Sequence, residues 1–385
     1  MAMKRVRAAA PMVLVAALSV AALGLAGCAP VEPPPRNTVT PTPLPSPTET
    51  GPPALPGPVQ PAGEPRALVT GLDVPWSVVR LSSGSALISE RETALVKEYT
   101  ADGDVREVGT VPGVTPAGEG GLLGLAVDVD ERWLYAYTTA ASDNRVIRLP
   151  LTGVAGGLAL GAPTDVVTGI PKSGNHNGGR IKFGPDGMLY ITTGDATNGA
   201  VAQDVGSLAG KILRVTPEGA VPADNPFVDS SVYSYGHRNP QGIAWDDDGR
   251  LWASEFGQNT WDELNLITPG GNYGWPVVEG IADRDGFIDP VHQWATTDAS
   301  PSGLLFLRDT LFMAALRGER LWAIYPGSES VDAVDWFRGD VGRLRDAVEG
   351  PDGSLWLLTN NTARGTPRDG DDKLLEVRLE LLPAG

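Results

Sequence analysis

A strand-rich unit recurs along this chain at a spacing of roughly 50–60 residues, the range in which self-similar sequences close into propellers or stack as solenoids. Each copy holds a short apolar strand, a tight turn, a second apolar strand and a third that ends in a polar turn. The first copy covers residues 76–79, 86–88 and 95–99, and the second covers 122–127, 133–137 and 145–149. The third runs through 181–183, 188–191 and 210–215, with Gly184-Pro185-Asp186-Gly187 as its hairpin turn. The fourth spans 242–245, 251–253 and 263–267; the fifth, 303–307, 311–314 and 321–324; the sixth, 347–348, 355–358 and 374–379. No long amphipathic helix interrupts the series. Radial closure hides the strand edges that an open sheet of this size would expose, so the six copies predict an all-β, six-bladed β-propeller over residues 67–382. A pair of β-sandwiches is the alternative, and it does not require such regular repetition.

The stretch ahead of the repeats reads as an address. Lys4, Arg5 and Arg7 precede an apolar run over residues 8–25, the pattern of an export signal rather than a membrane span. Leu25-Ala26-Gly27-Cys28 resembles the lipobox of bacterial lipoproteins, and Cys28 is the single cysteine, so no internal disulfide is open to it. Residues 1–28 are therefore expected to be a lipoprotein signal peptide ending in a lipidated Cys28. Residues 29–66, rich in Pro, Thr and Gly, are expected to form a disordered linker, because they hold too few apolar groups to bury a core. The mature protein would be exported and anchored to the outer face of the cell membrane by its lipid alone. A net charge of −17 repels phosphate backbones and anionic headgroups, which excludes nucleic acid as a partner.

Candidate chemistry gathers where the repeat places it. The polar segment before the first strand of each copy should lie at one end of the central channel. That segment holds Glu119 in copy two, His176 within SGNHNGGR (residues 173–180) in copy three, His237-Arg238-Asn239 in copy four, and Arg343 and Arg345 in copy six. A carboxylate, an imidazole and several guanidiniums converging on one mouth make a pocket for an anionic ligand, and arginine forks suit carboxylates. The competing reading pairs each arginine locally, as Arg345 with Asp346. Asp246-Asp247-Asp248-Gly249 reads as a hairpin turn rather than a calcium loop, and Asp369-Gly370-Asp371-Asp372 as a solvated turn. His292 falls in the connection between copies four and five. The tryptophans read as core, with Trp275 open as a contact on the rim.

SGNHNGGR, YGHRNPQG (residues 235–242), residues 255–266, GGNYGWP (270–276) and GRLRD (342–346) together resemble the soluble glucose/sorbosone dehydrogenase family, in particular its bacterial aldose sugar dehydrogenases. The resemblance implies a six-bladed propeller that binds pyrroloquinoline quinone (PQQ) and Ca2+ and oxidises an aldose at the anomeric carbon to its lactone. A small-molecule sugar is then the substrate; the electron acceptor stays unknown. It further implies His176 as general base, Arg238 and Asn239 at the quinone oxygens, and Arg343 and Arg345 at the cofactor's carboxylates. Glu119 and Arg317 complete the cofactor-binding set, standing where the family typically has Gln and lysine. Glu263 and the backbone carbonyl of Tyr273 match a structural calcium site. Gly257 and Gln258 fall in the segment whose backbone carries the cofactor's calcium, although Phe256-Gly257-Gln258 replaces a more polar run ending in proline. The alternative is a non-catalytic propeller that binds carbohydrate or protein at the channel mouth. A propeller lactone hydrolase would instead need a carboxylate-rich axial site.

Overall fold

The computed structural model describes residues 57–327 and 331–383. The export signal, the lipobox cysteine Cys28 and the linker up to residue 56 lie outside the described residues.

The described chain forms six antiparallel sheets of four strands, five of them meanders, with one short extra strand, Ala159–Leu160, on the second. The six-bladed propeller is thus the observed fold. Second strands such as Ala86–Glu90, Leu189–Thr193, Leu251–Glu255 and Leu355–Thr359 are buried at every position. They lie between two strands of their own blade and between two neighbouring blades, so an uninterrupted apolar run suits them. Fourth strands such as Val105–Thr110 and Val331–Trp336 alternate between partial burial and exposure, because they form the outer edge. His292 opens one of these, His292–Ala295, and does not lie in a loop as expected.

The sixth blade departs from the reading of the linker. Leu344–Glu349, Leu355–Thr359 and Leu374–Leu381 supply its inner strands, and Val59–Val69 from the other end of the chain pairs with Leu374–Leu381 as its outer one. Residues 59–66, expected to be disordered, are strand. Pro61, Gly63 and Pro65 disguise it, but an edge strand tolerates proline because its outward N–H groups need no partner. Val59 is fully buried, and its N–H donates to Thr310 Oγ1 at 2.9 Å on the fifth blade. The two chain ends therefore close the ring.

Apolar clusters lie between adjacent blades, as where Leu305, Phe312 and Leu321 meet Leu344, Leu357 and Leu375. Inside these clusters the inner strands surround the axis, with polar groups at one end and apolar side chains along its wall. Inner strands approach one another closely there: a Cβ on Gly303 would stand 2.2 Å from Asp346 Oδ1 of the next blade.

One buried ammonium pins the loop after Leu189–Thr193. Lys211 is fully buried, and its Nζ donates to the carbonyls of Val201, Ala202 and Ala209 at 3.0, 3.0 and 2.7 Å. Lys211→Met would leave Ala209 O without a donor and take one donor each from Val201 O and Ala202 O, which still accept from Asp204 N and Gly236 N. It should lower the unfolding free energy by roughly 2–4 kcal/mol in chemical denaturation.

Candidate active site

In an antiparallel blade, the start of the first strand and the turn joining the second to the third lie at the same end. Both sets of segments line one cavity of about 410 Å³ at that end of the axis. The first set brings Glu119, His176, Arg238, Asn239, Arg343 and Arg345; the second brings Gly257, Gln258 and Arg317. Sequence reasoning used the first set as a rule and so missed Arg91 and Arg364, which also line the wall from second-to-third turns. Asp195, in the same kind of turn, was missed too. Of the three, only Arg91, directly after the second strand of its copy, carried a positional signal in the sequence. His237 does not line the cavity; it is fully buried, bonded to Ser234 and Glu255 at 2.8 Å each.

His176 adopts a left-handed backbone, φ 57°, held by its N–H donating to Glu119 Oε2 at 2.9 Å. Such a conformation costs a residue other than glycine of order 1–3 kcal/mol, so its surroundings must impose it. Its Nδ1 lies 2.8 Å from Asp195 Oδ1 and its Nε2 lies 2.9 Å from Arg238 Nη2. An ionised carboxylate only accepts and a guanidinium only donates, so Nδ1 carries the proton and Nε2 offers its lone pair. This is a neutral imidazole with its basic atom held by a displaceable donor. Asp195 also accepts from Trp275 Nε1 at 2.8 Å and Thr197 N at 2.7 Å. Burial opposes its ionisation, but the bonds from His176, Trp275 and Thr197 hold the carboxyl below its ordinary pKa. Trp275 lies under Arg238 as well, 5.5 Å from its Cζ to the ring centre. It therefore braces the imidazole's partners, and its ring is not among the residues of the cavity wall.

Arg91 pairs with Glu92 and Arg364 with Glu119, but Arg238, Arg343 and Arg345 form no ion pair with the described residues. Arg345 is 6% exposed and donates to Gln241 Oε1, Asn360 Oδ1 and Ser302 Oγ at 2.8, 3.1 and 3.3 Å, all neutral acceptors. Asp346, its expected local partner, is taken by Arg180 at 2.8 Å. Burial, then the nearby Arg91 and Arg343, depress the pKa of Arg345 well below its ordinary value. The Nε atoms of Arg238, Arg343 and Arg345 are buried without any partner. A buried cation with only neutral neighbours is costly, and a polyanion in the cavity would offset that cost. Glu119 does not cancel this field, because its Oε1 accepts from Arg364 Nη1 at 3.0 Å. Glu119 and Asp262 are the carboxylates among the residues of the wall, too few for the carboxylate-rich site of a lactone hydrolase.

Oxygen donors for a cation occur in two places. The N–H groups of Gln258 and Asn259 both point to Glu279 Oε1, at 2.7 and 3.2 Å. A trans peptide sets C=O opposite N–H, so the carbonyls of Gly257 and Gln258 turn away from that carboxylate. Only glycine fits at 257, since a Cβ would stand 1.6 Å from Trp261 O. Deeper in the fourth blade, outside the cavity, Glu263 accepts from Gly280 N at 2.7 Å and Asn265 Nδ2 at 3.1 Å. Burial, then the charge of Glu255, raises the pKa of Glu263. Asn265 Oδ1 is buried with no partner, and the Tyr273 ring stacks on His237 at 4.7 Å beside it. A carboxylate pair and an orphaned amide oxygen fit a hard cation. Among the described residues no three His, Cys, Asp or Glu side chains form a metal cage, so such an ion must draw on amide and backbone oxygens.

The sequence model of the family described as Glucose / Sorbosone dehydrogenase matches residues 72–366. Among solved structures, the PQQ-bound aldose sugar dehydrogenase of Streptomyces coelicolor is 49% identical, with a TM-score of 0.78, covering 83% of this chain and 100% of its own. Aldose sugar dehydrogenase YliI of Escherichia coli is 31% identical over 336 residues, 76% of this chain and 88% of that protein. Quinoprotein glucose dehydrogenase B of Acinetobacter calcoaceticus is 32% identical over 258 residues, 58% of this chain and 54% of that protein.

Proposed function

Because the chain belongs to the glucose/sorbosone dehydrogenase family, a family of sugar oxidoreductases, we propose that it oxidises an aldose at the anomeric carbon to its lactone with PQQ and Ca2+. The observation that carries this reading is the pairing of a base, His176, with buried guanidiniums that lack counter-carboxylates, in one cavity.

Arg343 and Arg345 would hold the cofactor's carboxylates, with Arg317 and Arg91 adding positive charge on the same wall. Arg238 and Asn239 would face its quinone oxygens, and the carbonyls of Gly257 and Gln258 would ligate its calcium. Glu263 and the Tyr273 carbonyl would hold a second, structural calcium. Bound PQQ supplies the two-electron acceptor for the hydride of the anomeric carbon, and calcium polarises it. His176 Nε2 takes the proton of the anomeric hydroxyl once Arg238 has moved off that atom. Asp195 keeps Nδ1 protonated and stabilises the imidazolium that results. Arg238, released from Nε2, is placed to stabilise negative charge developing beside the sugar. We also propose that Cys28 carries a lipid and that the enzyme works on the outer face of the cell membrane.

Purified protein loaded with PQQ and Ca2+ should reduce an artificial electron acceptor when given an aldose. No reduction across a sugar panel, with an unchanged cofactor spectrum, would instead favour a non-catalytic propeller.

Asp195→Asn isolates the positioning of the base. The amide can donate to Nδ1, which moves the proton to Nε2 and removes the acceptor. Turnover should fall by roughly 10²–10⁴-fold in steady-state assays while PQQ affinity is unchanged.

A further inference from the structure

The axial channel holds a second cavity, of about 380 Å³, which all six inner strands line. A partition divides it from the cavity that holds His176. Arg180 forms that partition, with its Cζ 4.3 Å from the centre of the Trp76 ring, and Trp76 lines the first cavity while Arg180 lines the second.

The second cavity has a cationic end and apolar walls. Arg180 binds Asp346 Oδ2, Ser77 Oγ and the Gln241 carbonyl through Nη1 and Nε, at 2.8, 3.2 and 2.9 Å. Its side chain is 7% exposed, and its Nη2 is buried with no partner. Lys182, two residues along the same inner strand, also lines the cavity, and no hydrogen bond or ion pair reaches its Nζ from the described residues. Burial lowers the pKa of Lys182, and the charge of Asp346 opposes that effect. Asp346 is already committed to Arg180 and to the N–H of Val78, at 3.1 Å. Glu349, the other carboxylate of the lining, is exposed. Val79, Val127, Phe183, Leu305 and Val348 supply apolar wall. An uncommitted ammonium and a spare guanidinium N–H, set in an apolar chamber, match an anion that carries its own apolar body.

We propose that this chamber binds a small aliphatic monocarboxylate, its carboxylate at Lys182 Nζ and Arg180 Nη2 and its chain against the apolar wall. The site is separate from the proposed sugar site and does not depend on that assignment.

Octanoate is the probe, titrated into the purified full-length protein by isothermal calorimetry in chloride-free buffer. Saturable binding at one site per chain is expected. Lys182→Met should weaken it at least tenfold, and Lys182→Arg should retain it within a few-fold. Octanol, with the same chain and no charge, should bind at least tenfold more weakly. Neither variant should alter PQQ affinity, because Lys182 does not line the cavity that holds His176. Absence of saturable heat, or equal octanoate affinity in the Met variant, would overturn the proposal. Displacement of octanoate by equimolar chloride would also overturn it, since a bare anion would then suffice.

Discussion

His176→Ala is expected to abolish sugar oxidation while PQQ and calcium still bind. The imidazole is the one histidine on the cavity wall, with Nδ1 fixed by Asp195 at 2.8 Å and the Nε2 lone pair engaged only by the displaceable Arg238. Removing a positioned base costs roughly 10²–10⁴-fold in rate. The loss should appear in the single-turnover reduction of bound cofactor after sugar is added. PQQ affinity should change by only a few-fold, since the guanidiniums hold the anion. Added imidazole should restore part of the rate, because the substitution empties a space of its size beside Asp195. Unchanged turnover in the variant would remove His176 as the base.

Arg345→Met separates cofactor binding from folding. In the free protein Arg345 holds a buried charge with only neutral acceptors around it, and the replacement relieves that cost. The variant also leaves Asn360 Oδ1 and Gln241 Oε1 short of a donor. These effects oppose one another, so the stability of the ligand-free protein should stay within about 1 kcal/mol in chemical denaturation. PQQ affinity should drop steeply, because the deleted fork leaves a desolvated carboxylate unpaired. That loss is roughly 2–5 kcal/mol, or about thirty- to several-thousand-fold. A large loss of stability with PQQ affinity intact would make Arg345 a plug of the channel instead of a ligand.

Much of the propeller was legible because three strands of each blade are buried and keep an apolar pattern. The fourth strands were not, since an edge strand such as Val331–Trp336 alternates polar and apolar residues and merges with the loops. Val59–Val69 was harder still: its pairing partner is at the far end of the chain, and its prolines resemble a spacer. The cavity followed the same division. Equivalent positions before each inner strand placed Glu119, His176, Arg238, Arg343 and Arg345 together. Asp195 lies only 19 residues from His176, yet nothing in composition marks it, because its role comes from the turn that aims it at Nδ1. The carboxylate of Glu119, out of place beside an anionic cofactor, is explained by Arg364, 245 residues away on the one-turn helix Asn361–Arg364. Pairing over such a separation is visible only in three dimensions.

The most direct test is a crystal structure of the protein loaded with PQQ and Ca2+. The cofactor should lie in the cavity of His176, with carboxylates on Arg343 and Arg345 and with Arg238 withdrawn from Nε2. A cofactor bound elsewhere, or an Arg238 still closed on His176 while sugar is present, would contradict the account.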